Sequence, residues 1–230
     1  MFLWDKVRHG RGSSTVETCS GRYVDVRRPD PATIDTMDIA HALSMQCRFN
    51  GHVRDFYSVA EHCVRVANHL PPALRIHGLL HDAAEAYVGD VVTPVKRWLY
   101  GFAGMEDRTL RAIYAHLRVP RPGAAERKCV HQADLLALRE EAWALLPSQG
   151  RWQQGLYPDG RAEAPASPAW AIPPHRGGCP RPTMLPAAWP VLCLPPAEAR
   201  ALWLASLDEV LSRLAGQRYA EAGSRAAQAA

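Results

Sequence analysis

The residues with the clearest chemical capacity lie in the run Leu79-Leu80-His81-Asp82-Ala83-Ala84-Glu85-Ala86-Tyr87-Val88-Gly89-Asp90. An adjacent imidazole and carboxylate sit in an otherwise apolar stretch, with Glu85 three residues beyond Asp82 and Asp90 just past Gly89. On a helix, Glu85 falls about one turn beyond His81 and roughly 40° round the axis, so all three ionisable groups can line one pocket. Burying them among Leu79, Leu80, Ala83 and Ala84 is costly without a partner. A divalent metal is the economical partner, because imidazole and carboxylate are both good ligands. One His-Asp pair offers too few donors for a mononuclear site. His62, in the middle of SVAEHCVRVA, and Asp134, in the middle of CVHQADLLAL, are polar residues at positions that read as core-facing. Together the four make a donor set drawn from three helices, as metal sites in helix bundles commonly are.

Helices must therefore position these groups, and the periodicity before residue 147 is mostly helical. A helix is expected over Ile34 to Met45, with Asp35 or Thr36 as N-cap. A second runs over Ser58 to Leu70, opened by a Ser58/Glu61 capping box and closed by Pro71-Pro72. A third covers Ala73 to Tyr87 and stops at Gly89. Further helices are expected over Thr93 to Tyr100, Glu106 to Leu117 and Ala124 to Leu146. The last runs from Ala197 to about Leu214 on a stripe of Leu202, Leu207, Val210, Leu211 and Leu214. Only Arg22 to Arg27 alternates like a strand. Twelve of the 19 prolines fall between Pro147 and Pro196, beside Trp152, Trp170 and Trp189, which reads as an irregular arm lying on the core.

The expected organisation is all-α: an N-terminal arm over 1–21, a helical core over 22–146 with a short β or extended piece at its start, the Pro-rich irregular segment 147–196, a closing helix over 197–216 and a flexible tail over 217–230. The chain of 230 residues is 47% hydrophobic and 22% charged, which excludes a wholly disordered protein. No stretch nears the roughly 18 apolar residues of a membrane helix. The start MFLWDKVRHGRG lacks the apolar run of a secretory signal, so a cytoplasmic location is expected. The six irregularly spaced cysteines are read as reduced thiols. A net charge of +4, carried by 24 Arg and three Lys, permits an anionic ligand but shows no basic run of the kind that binds nucleic acid.

The order His62 … His81-Asp82 … Asp134 resembles the metal motif of the HD-domain phosphohydrolases. More narrowly, EH-x-x-x-V, HDAAEAYVGD, TPVK and QAD resemble the bacterial 5′-deoxynucleotidase branch and the related phage dATP triphosphohydrolases, as does DIAHALSMQCRFNGHVRDFYSVAEH. The likeness covers about Arg22 to Leu146. It implies an HD-domain helical bundle in which His62, His81, Asp82 and Asp134 bind one divalent metal (Co, Mn, Zn or Fe), joined by a second, magnesium ion when the substrate is a polyphosphate. It implies that Glu85 and Asp90 position or activate the attacking water and protonate the leaving group. Arg48 and Lys96 would contact phosphate, Phe49 would pack against sugar or base, and His52 would line the pocket. The implied reaction is attack of water at the α-phosphorus of a deoxynucleotide. A triphosphohydrolase releasing triphosphate is the alternative within this chemistry, and a non-catalytic HD-domain nucleotide sensor is the alternative outside it. The expected partners are a nucleotide and further copies of the chain, as a dimer or larger, with no nucleic acid and no membrane.

Overall fold

The computed structural model describes residues 14–150 and 190–229, with side chains described as far as 216. The expectations for 1–13, and for the Pro-rich segment over 151–189, lie outside the described residues. The described chain is mainly helical with one small sheet, as the periodicity requires. Strands β1 (Thr15–Glu17) and β2 (Tyr23–Asp25) form an antiparallel hairpin with Val16 opposite Val24. The helices are α1 (Thr36–Met45), α2 (Val59–Asn68), α3 (Arg75–Leu80), α4 (Glu85–Val88), α5 (Thr93–Lys96), α6 (Phe102–His116), α7 (Ala124–Leu145) and α8 (Pro196–Ala229). No helix among the described residues is long and apolar enough to cross a membrane.

The hairpin moves one expected boundary. Thr15–Glu17, assigned above to an N-terminal arm, pairs with β2, because a lone strand would leave its backbone groups unpaired. The hairpin turn is pinned to α1 by Asp38, whose carboxylate accepts from the Cys19 thiol (3.0 Å), the Ser20 amide (3.0 Å) and the Ser20 hydroxyl (2.7 Å). Burial works against the charged form of Asp38, but hydrogen bonds from Cys19, Thr18 and Ser20 outweigh it and hold its pKa below 3.8. A depressed carboxylate pKa gives stability that is complete above the unfolded value and is lost as pH falls through the folded one. The hairpin should therefore loosen below about pH 4. Hydrogen exchange at Val24 should accelerate there in the wild type, and in Asp38→Asn it should be fast at every pH.

Helix α2 is the hub. Nine of its ten residues are buried, as expected of a helix enclosed on all sides rather than one lying on a surface. One core cluster joins it to α1, α3, α6 and α8 through Leu43, Val64, Leu79, Ile113, Trp203 and Leu207. A smaller one joins it to α7 through Val66, Leu70, Val130, Ala133 and Ala137. The Trp203 indole donates to the Leu79 carbonyl at 3.3 Å, which fixes α8 on α3. Helix α8 continues to Ala229, so the stretch read as a tail over 217–230 is helical where described.

At Gly78 the third helix comes close to α2. A Cβ there would lie 2.7 Å from the Cα and 2.9 Å from the backbone nitrogen of Ala67. Alanine gains about 1 kcal/mol in helix propensity, whereas overpacking against backbone costs about 1–3 kcal/mol or more. Gly78→Ala should therefore be net destabilising, and a urea midpoint equal to wild type would show that α3 can shift freely.

The capping box expected at the start of α2 is only half formed. The Ser58 hydroxyl accepts from the Glu61 amide at 3.1 Å, but Glu61 does not return the bond. Its carboxylate accepts instead from the amides of Leu192 (2.8 Å) and Leu194 (2.9 Å), while Arg65 donates to the Pro190 carbonyl at 2.6 Å. The irregular stretch 190–195 is thus held to α2. Cys19, Cys47, Cys63 and Cys193 are free thiols, but Cys129 is disulfide-bonded, which corrects the expectation of uniformly reduced cysteines.

Candidate metal centre

The helix expected over Ala73 to Tyr87 is interrupted. After α3 ends at Leu80, the chain tightens through His81–Ala84 with bonds of the i→i−3 type: Ala83 N to Leu80 O, Glu85 N to Asp82 O and Tyr87 N to Ala84 O. The cause is local. His81 Nδ1 donates to the Gly78 carbonyl at 2.8 Å, using the acceptor that a regular helix would offer to the Asp82 amide. The tightening swings Glu85 from the orbit expected for a continuous helix and alters the 40° offset from His81.

His62 is wholly buried on α2. Its Nδ1 lies 2.7 Å from Glu141 Oε1 and its Nε2 lies 3.2 Å from the Nε2 of His81. With both Nδ1–H groups donating, to Glu141 and to the Gly78 carbonyl, the two Nε2 atoms face each other with lone pairs. That contact is repulsive unless a cation lies between them. Asp82 Oδ2 is 3.1 Å from His81 Nε2 and 3.6 Å from His62 Nε2. Asp134 Oδ1 is 3.2 Å from His62 Nε2 and 3.9 Å from His81 Nε2. One proton could relieve the imidazole pair alone. Two carboxylates beside the pair add donors that could serve a metal ion. Neighbouring donors around an ion with bonds of about 2.0–2.1 Å are separated by about 3.3 Å in a tetrahedron; the spacings of 3.1–3.2 Å lie near that value, while those of 3.6 Å and 3.9 Å are wider. His62, His81 and Asp82 form the compact trio, and Asp134 joins through the two imidazoles.

The surrounding charge agrees. Burial opposes charge on both imidazoles, yet Glu141 and Asp134 raise the pKa of His62, against Arg48, and Asp82 raises that of His81 well above 6.5. The pocket therefore favours a positive centre.

Glu141, which the sequence reading missed, orients this array. It is fully buried and also accepts from Arg48 Nε (3.1 Å) and the Tyr57 hydroxyl (3.0 Å). Its position was detectable, since it lies seven residues, or two helical turns, after Asp134 on α7. Gln46 was missed as well. It accepts from the Asp90 amide at 2.8 Å and donates to the Glu85 carbonyl at 3.0 Å, fixing both ends of α4.

Arg48 stands beside the centre, with Nη1 3.7 Å from Asp82 Oδ2. It begins a turn in which Phe49 (φ 57°) and Asn50 (φ 53°) are both left-handed, a conformation costing roughly 1–2 kcal/mol per non-glycine residue. The Phe49 ring lies 5.6 Å from the Arg48 guanidinium carbon, and His52, after the turn, is exposed. Lys96 is held between Glu85 Oε1 (2.9 Å) and Glu106 Oε1 (2.8 Å), so here it positions Glu85. The other Glu85 oxygen, Oε2, is buried without a hydrogen-bond partner among the described residues. Burial, then the charges of Asp82 and Asp90, push the Glu85 pKa up to about 9 against the pull of Lys96. The unpartnered Oε2 and the raised pKa both make the charged form of Glu85 costly in this site. Asp90 is also raised, by burial and then Asp82, with Arg48 opposing.

No family model matches the chain. It is 37% identical over 130 residues to the uncharacterized protein YfdR of Escherichia coli, a match covering 56% of this chain and 70% of the relative. It is 38% identical over 136 residues to the uncharacterized protein RCAP_rcc00048 of Rhodobacter capsulatus, covering 54% of this chain and 68% of that protein. With more than two thirds of each relative matched at such identity, the chain belongs to the same family as these two proteins.

Proposed function

We propose that the protein is a metal-dependent phosphohydrolase of the HD-domain type, hydrolysing deoxynucleotide phosphate esters by attack of water at the α-phosphorus. The observation that carries this reading is the pair of imidazole Nε2 atoms, 3.2 Å apart with both Nδ1 positions engaged, on which Asp82 and Asp134 converge. The ordered motifs His62, His81-Asp82, Glu85, Asp90 and Asp134 support it from the sequence.

His62, His81, Asp82 and Asp134 would hold the ion, which when bound supplies Lewis-acid polarisation and a water nucleophile at neutral pH. Glu141 orients His62 and also fixes the Nε edge of Arg48, leaving the Nη edge to meet phosphoryl oxygens. Glu85, protonated at Oε2, gives its proton to the departing 5′-oxygen, and Asp90 takes one from the attacking water. Two carboxyl groups held in different environments can divide acid and base roles in this way.

Purified protein with Mn²⁺ or Co²⁺ should release inorganic phosphate from dAMP. Product analysis with dATP separates this from a triphosphohydrolase, and no turnover of any nucleotide with any divalent metal overturns the reading. Glu85→Gln keeps the shape and the contact with Lys96 but cannot transfer a proton. It should lower kcat by about 10²–10⁴ while leaving nucleotide and metal binding in place.

A further inference from the structure

We propose that the groove between α6 and the turn after β2 is an anion site that takes an oligophosphate, separate from the metal centre and independent of the function proposed above. The groove measures about 550 Å³ and is walled by Arg27 and Arg28 on one side and by Arg108 and Arg111 on the other. Arg108 and Arg111, three residues apart, share one face of α6. Ala112 and Ala115 lie beside them, and their small side chains leave room for a ligand to reach both walls. Leu110 and Tyr114 stand on a different face of α6, in the cavity beside His81 and Asp134. The helix therefore separates the groove from the metal centre.

The walls are held in place without a ligand. The Asp25 carboxylate accepts from the Ser14 hydroxyl at 2.6 Å and the Arg27 amide at 2.9 Å, and the Asp25 carbonyl accepts from the Arg28 amide at 3.1 Å. Nδ1 of His116 donates to the Pro31 carbonyl at 3.1 Å, which ties this turn to α6. The side chains of Arg28 and Arg108 are exposed and form no ion pair among the described residues. Arg111 pairs with Asp107, which also receives Arg121. Asp30 is the one acid lining the groove among the described residues, and its carboxylate already accepts from the Ala32 amide at 2.9 Å. Four guanidinium groups around one groove repel one another until an anion lies among them. Each guanidinium fork can meet two phosphoryl oxygens at once. An oligophosphate carries several phosphoryl groups on a short chain, which suits a groove with cations on both walls better than a single phosphate does.

The test is calorimetric titration of the full chain in EDTA, with no divalent metal present. Inorganic triphosphate should bind the wild type at least ten-fold more tightly than inorganic phosphate. The double variant Arg28→Ala/Arg108→Ala should lose at least ten-fold in triphosphate affinity at an unchanged melting temperature. The double variant Arg139→Ala/Arg213→Ala, which removes the same charge from α7 and α8, should change it less than two-fold. ATP separates the two sources of such a chain: affinity above that of inorganic triphosphate assigns the groove to a nucleotide-borne tail, and equal or lower affinity assigns it to free oligophosphate. The proposal is overturned if triphosphate does not bind in EDTA, if phosphate binds as tightly, if the two double variants lose affinity alike, or if a hexaglutamate peptide binds more tightly than triphosphate. The titration needs neither metal nor turnover, so these outcomes stand apart from those that test the hydrolase.

Discussion

Replacing His81 by Gln should abolish divalent-cation binding and, at a pH where both rings of the imidazole pair are neutral, should not destabilise the metal-free protein. Two imidazole nitrogens at 3.2 Å, each with its other nitrogen engaged, oppose each other when nothing lies between them. At a pH where both rings are neutral, removing one relieves that opposition, so the metal-free variant should there melt at or above the wild-type temperature; at lower pH a proton on His81, held by Asp82, already relieves it. Adding Mn²⁺, Co²⁺ or Zn²⁺ to wild type at one hundred times its dissociation constant should stabilise it by about 2.7 kcal/mol. In a chain of this size that is a rise of about 5–10 °C. His81→Gln should show no rise, and nucleotide turnover should vanish with it. A histidine pair with a purely structural role gives the opposite pattern: a lower melting temperature on substitution, and no response to metal in either protein. Thermal melts with and without metal, together with metal analysis of dialysed protein, decide between these outcomes.

The second large effect is expected at Glu141. Its carboxylate receives His62, Arg48 and Tyr57 in a site closed to solvent. Burial alone would raise its pKa, but His62 and Arg48 reverse that and keep it ionised. Truncation to Ala leaves a guanidinium, an imidazole N–H and a phenol without their acceptor. Removing one partner of a buried charge pair costs about 3–5 kcal/mol. Glu141→Ala should therefore shift the urea midpoint far more than any surface substitution. Glu141→Gln keeps the volume and one acceptor but no longer holds the His62 tautomer. It should remain folded and lose about 10–100-fold in metal affinity, the usual consequence of disturbing a group that orients a ligand. Equal metal affinity in Glu141→Gln and wild type would remove Glu141 from any part in the centre.

The sequence was informative wherever one residue type carried its own reason. His62 and Asp134 stood out because a polar residue amid Val, Ala and Leu needs a partner, and they do converge with His81 and Asp82. Helices α1, α2 and α7 were legible from caps and apolar spacing to within about two residues. Less legible were features that depend on a contact distant in sequence. Glu61 looked like half of a capping box because Ser58 precedes it, and only folding shows that the amides of Leu192 and Leu194 claim it. Lys96 and Arg48 read as free cations for phosphate, whereas acids supplied by other elements, Glu106 and Glu141, engage them here. The break after Leu80 was invisible because HDAAEAY contains no glycine or proline to mark one. It arises from one side chain competing for a backbone carbonyl.

That break has a consequence for what the chain can tolerate. In a stretch that completes a turn in about three residues, side chains three apart lie nearly in line. Asp82 and Glu85 are such a pair, and after burial the charge of the first is the next cause of the raised pKa of the second. Ala83 and Ala84 between them are buried, so they must stay small, but the tighter constraint is their number. One residue more or fewer would turn Glu85 about a third of a revolution away from the line it shares with Asp82. The HDAAE interval is therefore fixed in length before it is fixed in composition, and insertions or deletions there should be absent from any functional variant of this fold.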